Sequence, residues 1–315
     1  MGTVSEVRIA RRTGFCYGVR EAIDAARISA AEGKTTHTLG QVVHNEGVNA
    51  QLRDQGIIPV HELDDVQEGA AVVIRAHGVT PEVMDRAEGK GLDVIDGTCS
   101  WVTQEQKELA ALVEEGYTIV LLGTPNHPEV VGLLGYAPEA ILVDEEEDWV
   151  RIPRKKRMAL LTQSTQPPWK FEKLAGYLTT RAHELKIVNT VCPVTIRRQQ
   201  DTTDLAASVD LVVVVGGRNS ANTKELTRLV GIVGKPVMQI EHARDLEDAA
   251  PFDGHTLVGV TGGTSTPIED LEAVAARIYQ LAGDAKTQDE ATELAHRAVT
   301  DVAEAPYRTT SLSAA

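Results

Sequence analysis

What the 315-residue sequence lacks narrows its chemistry first. No apolar run approaches the roughly 20 residues that span a bilayer; the longest aliphatic stretch, "LVVVV" at 211–215, is far shorter. The opening "MGTVSEVRIARR" has no apolar stretch of the signal-peptide kind. Glu6 stands where an N-myristoylation signal needs Ser or Thr. A cytoplasmic protein without membrane contact is the expectation. Basic residues are in deficit: 31 Lys and Arg face 46 Asp and Glu, and the formal charge of -15 repels a nucleic-acid backbone. No Lys/Arg stripe interleaved with aromatics relieves that repulsion, so nucleic acid is not an expected partner.

Cysteine is scarce too. Three cysteines cannot all pair, and a reducing cytoplasm keeps them as thiols. A chain with 42% hydrophobic residues buries a large core without staples. No C-x-x-C offers the paired ligands of a structural zinc, and neither a Walker A loop nor a G-x-G-x-x-G turn is present.

What the sequence does contain is repetition. Twelve short runs rich in β-branched residues recur: "VRIARR", "TTHTLG", "GIIPV", "AVVIRA", "LDVIDGT", "YTIVLLG", "AILVD", "RMALLTQ", "LKIVNTV", "LVVVVGG", "PVMQI" and "TLVGVTG". Most precede a turn and a stretch of helical periodicity, such as "TPEVMDRAEGKG", which is the pattern of parallel α/β layers. Cys16, Cys99 and Cys192 follow the first, fifth and ninth runs, so each opens a block of four strands. Twenty-eight residues after each cysteine stands a polar residue: His44, His127 and Ser220. A third set, His77, Ser164 and Ser265, follows the last strand of each block. The expected fold is α/β, with three similar domains about a pseudo-threefold axis. Residues 1–90 carry Cys16, His44 and His77; 91–184 carry Cys99, His127 and Glu129; 185–283 carry Cys192, Ser220 and Ser265. Residues 284–315 read as a polar tail with one helix in its middle.

Ligands of open α/β sheets bind at the carboxyl ends of strands, where all three cysteines fall. Three converging thiolates suit a 4Fe-4S cluster with one open iron. Cys16 heads a helix and is flanked by Gly14 and Gly18, which favours a thiolate and close backbone approach. His44, His77, His127, Ser220, Asn222 and Ser265 are hydrogen-bonding groups without negative charge, suited to an oxyanion-rich group such as a diphosphate. "VVGGRNSANTKEL" and "GVTGGTSTPIEDL" add backbone N–H groups.

In order, "GFCYGVREAI", "VVHNEGV", "IRAHGV", "DGTCSWVT", "NHPEVVGLLGY", "NTVCPVTIRRQ", "RNSANTKEL" and "GVTGGTSTP" cover about residues 7–275 and resemble the 4-hydroxy-3-methylbut-2-enyl diphosphate reductases, the IspH/LytB family. The resemblance implies a trefoil around a 4Fe-4S cluster on Cys16, Cys99 and Cys192. It implies reductive dehydroxylation of an allylic diphosphate to isopentenyl and dimethylallyl diphosphates, the last step of the methylerythritol phosphate route. By the same resemblance His44, His77, His127, Ser220, Asn222 and Ser265 hold the substrate, Glu129 delivers protons, and Ser164, with Thr165 beside it, meets the substrate alcohol. The basic segment "RIPRKKR" at 151–157 is a docking candidate for an acidic electron carrier, reduced ferredoxin or flavodoxin. Two departures stand out: Ser100 follows the second cysteine where the family has Pro, and Ala221 replaces a serine, removing one phosphate contact. A quinolinate-synthase-like cluster enzyme and a non-catalytic iron–sulfur sensor are the alternatives.

Overall fold

The computed structural model describes residues 4–43, 45–218, 220–283, 285 and 287–300, with 299 and 300 described for their backbone alone. All twelve expected strands form. Strand β1 (Glu6–Ile9) leads through helix α1 (Tyr17–Ala31) to β2 (Thr36–Leu39), α2 (Glu46–Asp54), β3 (Ile57–Val60), β4 (Ala71–Ile74), α3 (Pro81–Gly89) and β5 (Asp93–Asp96). Then come α4 (Ser100–Glu114), β6 (Thr118–Leu122), α5 (Pro128–Tyr136), β7 (Ile141–Val143), β8 (Lys155–Thr162), α6 (Pro168–Leu178) and β9 (Ala182–Ile187). The chain continues with α7 (Pro193–Ala207), β10 (Leu211–Val215), α8 (Ala221–Val233), β11 (Val237–Ile240), β12 (Leu257–Gly262), α9 (Ile268–Ala282) and α10 (Gln288–Thr300).

Two compact units result, Met1–Tyr17 with Arg197–Ala315, and Gly18–Ile196. The second holds two parallel sheets, ordered β3-β2-β4-β5 and β7-β6-β8-β9; the first holds one, ordered β1-β12-β10-β11. Counting β1 as the strand that follows β12, all three sheets have the same order. This corrects the expected grouping by one strand. Each cysteine follows the fourth, edge strand of a sheet (β5, β9 and β1) and not the first. The expected division at residue 184 falls inside β9, and β5 pairs with β4 of the block before it. The reason is pairing across sequence: Glu6 lies opposite Leu257 and Ile9 opposite Val260, a closure that no local pattern encodes.

Local chemistry explains the elements. The run Leu211–Val215 is buried throughout, as a central parallel strand covered on both faces must be. Thr80 caps α3 by accepting the Val83 N–H at 3.3 Å, with Pro81 in the first turn. Asn45 caps α2 at 3.0 Å, and Gly234 ends α8 in the left-handed region at φ 82°. In the first unit Val213, Val215, Val258, Val260, Leu271 and Ile278 form the centre of one core. The expected tail helix is α10. Its Ala291 and Ala295 are buried against that core, so the helix is held by packing although its sequence is mostly polar. Residues 301–315 lie outside the described residues.

Candidate active site

Each cysteine immediately precedes a helix: Cys16 before Tyr17, Cys99 before Ser100, Cys192 before Pro193. The unsatisfied N–H groups and positive dipole end of a helix favour a thiolate there. All three cysteines are half-buried.

In the unit of residues 18–196, a continuous set of contacts links the expected residues. The Cys192 N–H donates to the Ser164 carbonyl at 2.8 Å. Ser164 in turn donates its N–H to one carboxylate oxygen of Glu129 at 2.5 Å and its hydroxyl to the other at 2.9 Å. The Glu129 N–H donates to Nδ1 of His127, the residue that caps α5, at 3.2 Å. The ring of His127 meets that of His77 edge to face, with centroids 5.3 Å apart. Next to His77, the Ala76 carbonyl accepts the Cys99 N–H at 3.0 Å. A Cβ at position 18 would stand 2.6 Å from the Cys99 sulfur, so only glycine lets the backbone come this close. Thr165 is engaged elsewhere, its hydroxyl accepting from Gln163 at 2.8 Å.

Glu129 is 2% exposed. Burial holds its carboxyl above the usual range, while the two Ser164 donors act against that rise. The structure adds a second acid that the sequence motifs do not mark. Glu105 on α4 is 1% exposed, and neither of its carboxylate oxygens has a hydrogen-bond partner among the described residues. Burial pushes it well above the carboxylate range, and the nearby Glu129 pushes it further. The neighbouring Thr190 hydroxyl would ease the rise. Its proton, however, goes to the Thr162 carbonyl at 2.6 Å, and its oxygen already accepts the Thr162 N–H at 2.9 Å. The signal for it lies in the helical spacing, since Val102, Glu105, Leu109 and Leu112 share one buried face.

In the other unit, β10 and β12 pair with Val215 opposite Gly262, so the loops that follow them leave the sheet side by side. Asn222 donates to Thr264 at 2.9 Å across the two loops. Ser220 caps α8, Ser265 is half-buried in the second loop, and the Cys16 N–H donates to the Thr264 carbonyl at 3.3 Å. Arg198, 3% exposed, binds the carbonyls of Gly14, Gly262 and Gly263 at 2.8–3.0 Å, fixing the Cys16 segment to the glycine loop. Within "TIRRQ" nothing local distinguishes this arginine from the one before it. His44 lies outside the described residues.

No three histidine, cysteine, aspartate or glutamate side chains form a metal-binding group among the described residues. Neither unit alone holds three thiols, since Cys16 belongs to one unit and Cys99 and Cys192 to the other. The donor chemistry itself fits an iron–sulfur cluster: soft thiol ligands at helix starts, with Gly18 pared back beside Cys99.

The basic segment 151–157 has another place. Arg151 pairs with Asp148 at 2.7 Å, and Arg157 pairs with Glu184 at 3.1 Å while lying over the Tyr117 ring. Lys155 and Lys156 open β8, whereas Ser164 follows its other end. Eight strand residues separate those ends by about 25 Å. The segment therefore lies at the amino end of β8, away from the carboxyl ends that carry the candidate residues.

The model of the LytB protein family matches residues 7–279. The chain belongs to the LytB family. A 4-hydroxy-3-methylbut-2-enyl diphosphate reductase of Anaeromyxobacter sp. (strain K) is 38% identical over 277 residues, 88% of this chain and 99% of that one. A solved structure described as (E)-4-hydroxy-3-methyl-but-2-enyl diphosphate reductase, the terminal enzyme of the non-mevalonate pathway, is 35% identical with a TM-score of 0.69, covering 88% of this chain and all of that one. The Plasmodium falciparum E-1-hydroxy-2-methyl-but-2-enyl-4-diphosphate reductase shares the fold, with a TM-score of 0.81 at 23% identity over 93% of this chain and 99% of that one. The match to the LytB model ends before α10.

Proposed function

We propose that this chain is an iron–sulfur oxidoreductase of the cytoplasm that converts 4-hydroxy-3-methylbut-2-enyl diphosphate into isopentenyl and dimethylallyl diphosphates. The observation that carries the reading is the match, over nearly their whole length, to relatives bearing that reductase name. Relatives of this kind favour it over a quinolinate-synthase-like enzyme or a redox sensor.

Cys16, Cys99 and Cys192 would hold a 4Fe-4S cluster, which supplies electrons and a Lewis-acidic iron when bound. The protein's own groups do the rest. His77, His127, Ser220, Asn222 and Ser265, with His44, bind the diphosphate through neutral hydrogen-bonding groups and helix starts. Ser164 orients the substrate alcohol, with Thr165 beside it supporting Gln163. Glu129 supplies a proton to the departing oxygen. Its burial raises its hold on a proton, and Ser164 makes its anion tolerable once the proton has left. The net change breaks the allylic C–O bond, forms a C–H bond and water, and consumes two electrons and two protons. The electrons come from an acidic one-electron carrier such as reduced ferredoxin or flavodoxin.

Anaerobic reconstitution tests the proposal. About four irons per chain and conversion of the allylic diphosphate with a reduced viologen are expected. Zinc in place of iron, or a loaded cluster without turnover, would overturn it.

A further inference from the structure

Arg75 follows β4 directly, two residues before His77, at the carboxyl end of its sheet. Its guanidinium packs against Gly40, whose backbone sits at φ 78°. A Cβ there would stand 2.6 Å from an Arg75 nitrogen, so glycine makes the space this side chain occupies. Arg75 is half-buried; its Nε is buried without a hydrogen-bond partner, and desolvation acts on the side chain with no ion pair among the described residues. Desolvation is the sole influence on its ionisation, which it lowers; no carboxylate acts on it.

An arginine stays charged in a protein, and a desolvated cation without a counter-ion is costly unless an anion completes the site. The residues proposed to hold the diphosphate include no permanent cation, and the chain's formal charge of -15 repels an anionic ligand. Arg75 supplies the missing charge, with a planar fork matched to phosphate oxygens. We propose that Arg75 is an anion anchor for the substrate's diphosphate, held ready over Gly40 beside His77. This rests on the reductase reading above.

The test uses the anaerobically loaded enzyme, with inorganic pyrophosphate as the binding probe in calorimetry and the allylic diphosphate in steady-state kinetics. Arg75→Met keeps the apolar stem over Gly40 and removes the charge. Pyrophosphate affinity should fall by about 10-fold or more, and KM should rise similarly with kcat little changed. Arg75→Lys should recover part of the loss, and wild-type binding should weaken with salt more steeply than that of Arg75→Met. Undiminished pyrophosphate binding by Arg75→Met would overturn the proposal. So would a loss that Lys does not relieve and that tracks a lower melting temperature. Wild-type turnover separates the two claims: a protein that loses pyrophosphate with Arg75 yet never reduces the allylic diphosphate would sustain the anchor and overturn the reductase.

Discussion

Glu105 and Glu129 stand on neighbouring helices of one unit, both almost wholly buried, and differ in what surrounds their oxygens. Glu129 receives an N–H and a hydroxyl from Ser164; Glu105 receives nothing among the described residues. Burial raises both, but Glu129 has two donors from Ser164 to stabilise its anion, whereas the Thr190 hydroxyl near Glu105 spends its proton on the Thr162 carbonyl. An acid that must give up a proton needs that provision, because a buried carboxylate without donors is too costly to form. Burial therefore favours the neutral form of Glu105, and Glu129 is the one equipped to cycle.

Removing the provision should make Glu129 behave more like Glu105. Ser164→Ala deletes the hydroxyl donor, and single turnover should slow by about 10-fold or more. With its anion less stabilised, Glu129 should keep its proton to higher pH, so the alkaline fall in rate should begin later than in wild type. A pH profile of the single-turnover rate checks both.

The smaller effect lies with Glu105 and concerns stability. In the unfolded chain a glutamate ionises near pH 4.3, whereas folded Glu105 holds its proton to well above that. Below the unfolded value it contributes no pH dependence. Above it the folded state binds more protons than the unfolded, so stability falls as pH rises until the folded group itself ionises. The groups facing Glu105 are Glu129 from α5 and the Thr190 hydroxyl, and β6, also packed on α4, carries no charged residue. Glu105→Gln removes the proton uptake. Its stability relative to wild type should grow by about 1.4 kcal/mol per pH unit within that window. Denaturant unfolding of both proteins at a series of pH values from about pH 4.3 upward reads the slope.

The same contrast explains what could be read from the sequence. Cys16, Cys99, Cys192, His77 and His127 were legible because strand, loop and helix follow one another locally, and chemistry-bearing residues fall in the loops. The grouping of strands was not, because β1 joins β12 from the far end of the chain. Strand β9 starts earlier, at Ala182, and ends at Ile187, partway through "LKIVNTV", since the chain then turns to place Thr190 on β8 and Cys192 on Ser164. Glu105 and Arg198 are plain in the sequence as residues. Their roles depend on burial and on three separated carbonyls, neither of which a single stretch displays.

The most direct test sets Glu129→Gln beside Glu105→Gln in anaerobic single turnover of the loaded enzyme. Both changes keep size and remove one proton. Glu129→Gln should be about 100-fold slower or more, the scale of a lost general acid, while Glu105→Gln stays within about 3-fold of wild type. A fast Glu129→Gln enzyme, or equal losses in the two variants, would contradict the assignment of proton delivery to Glu129.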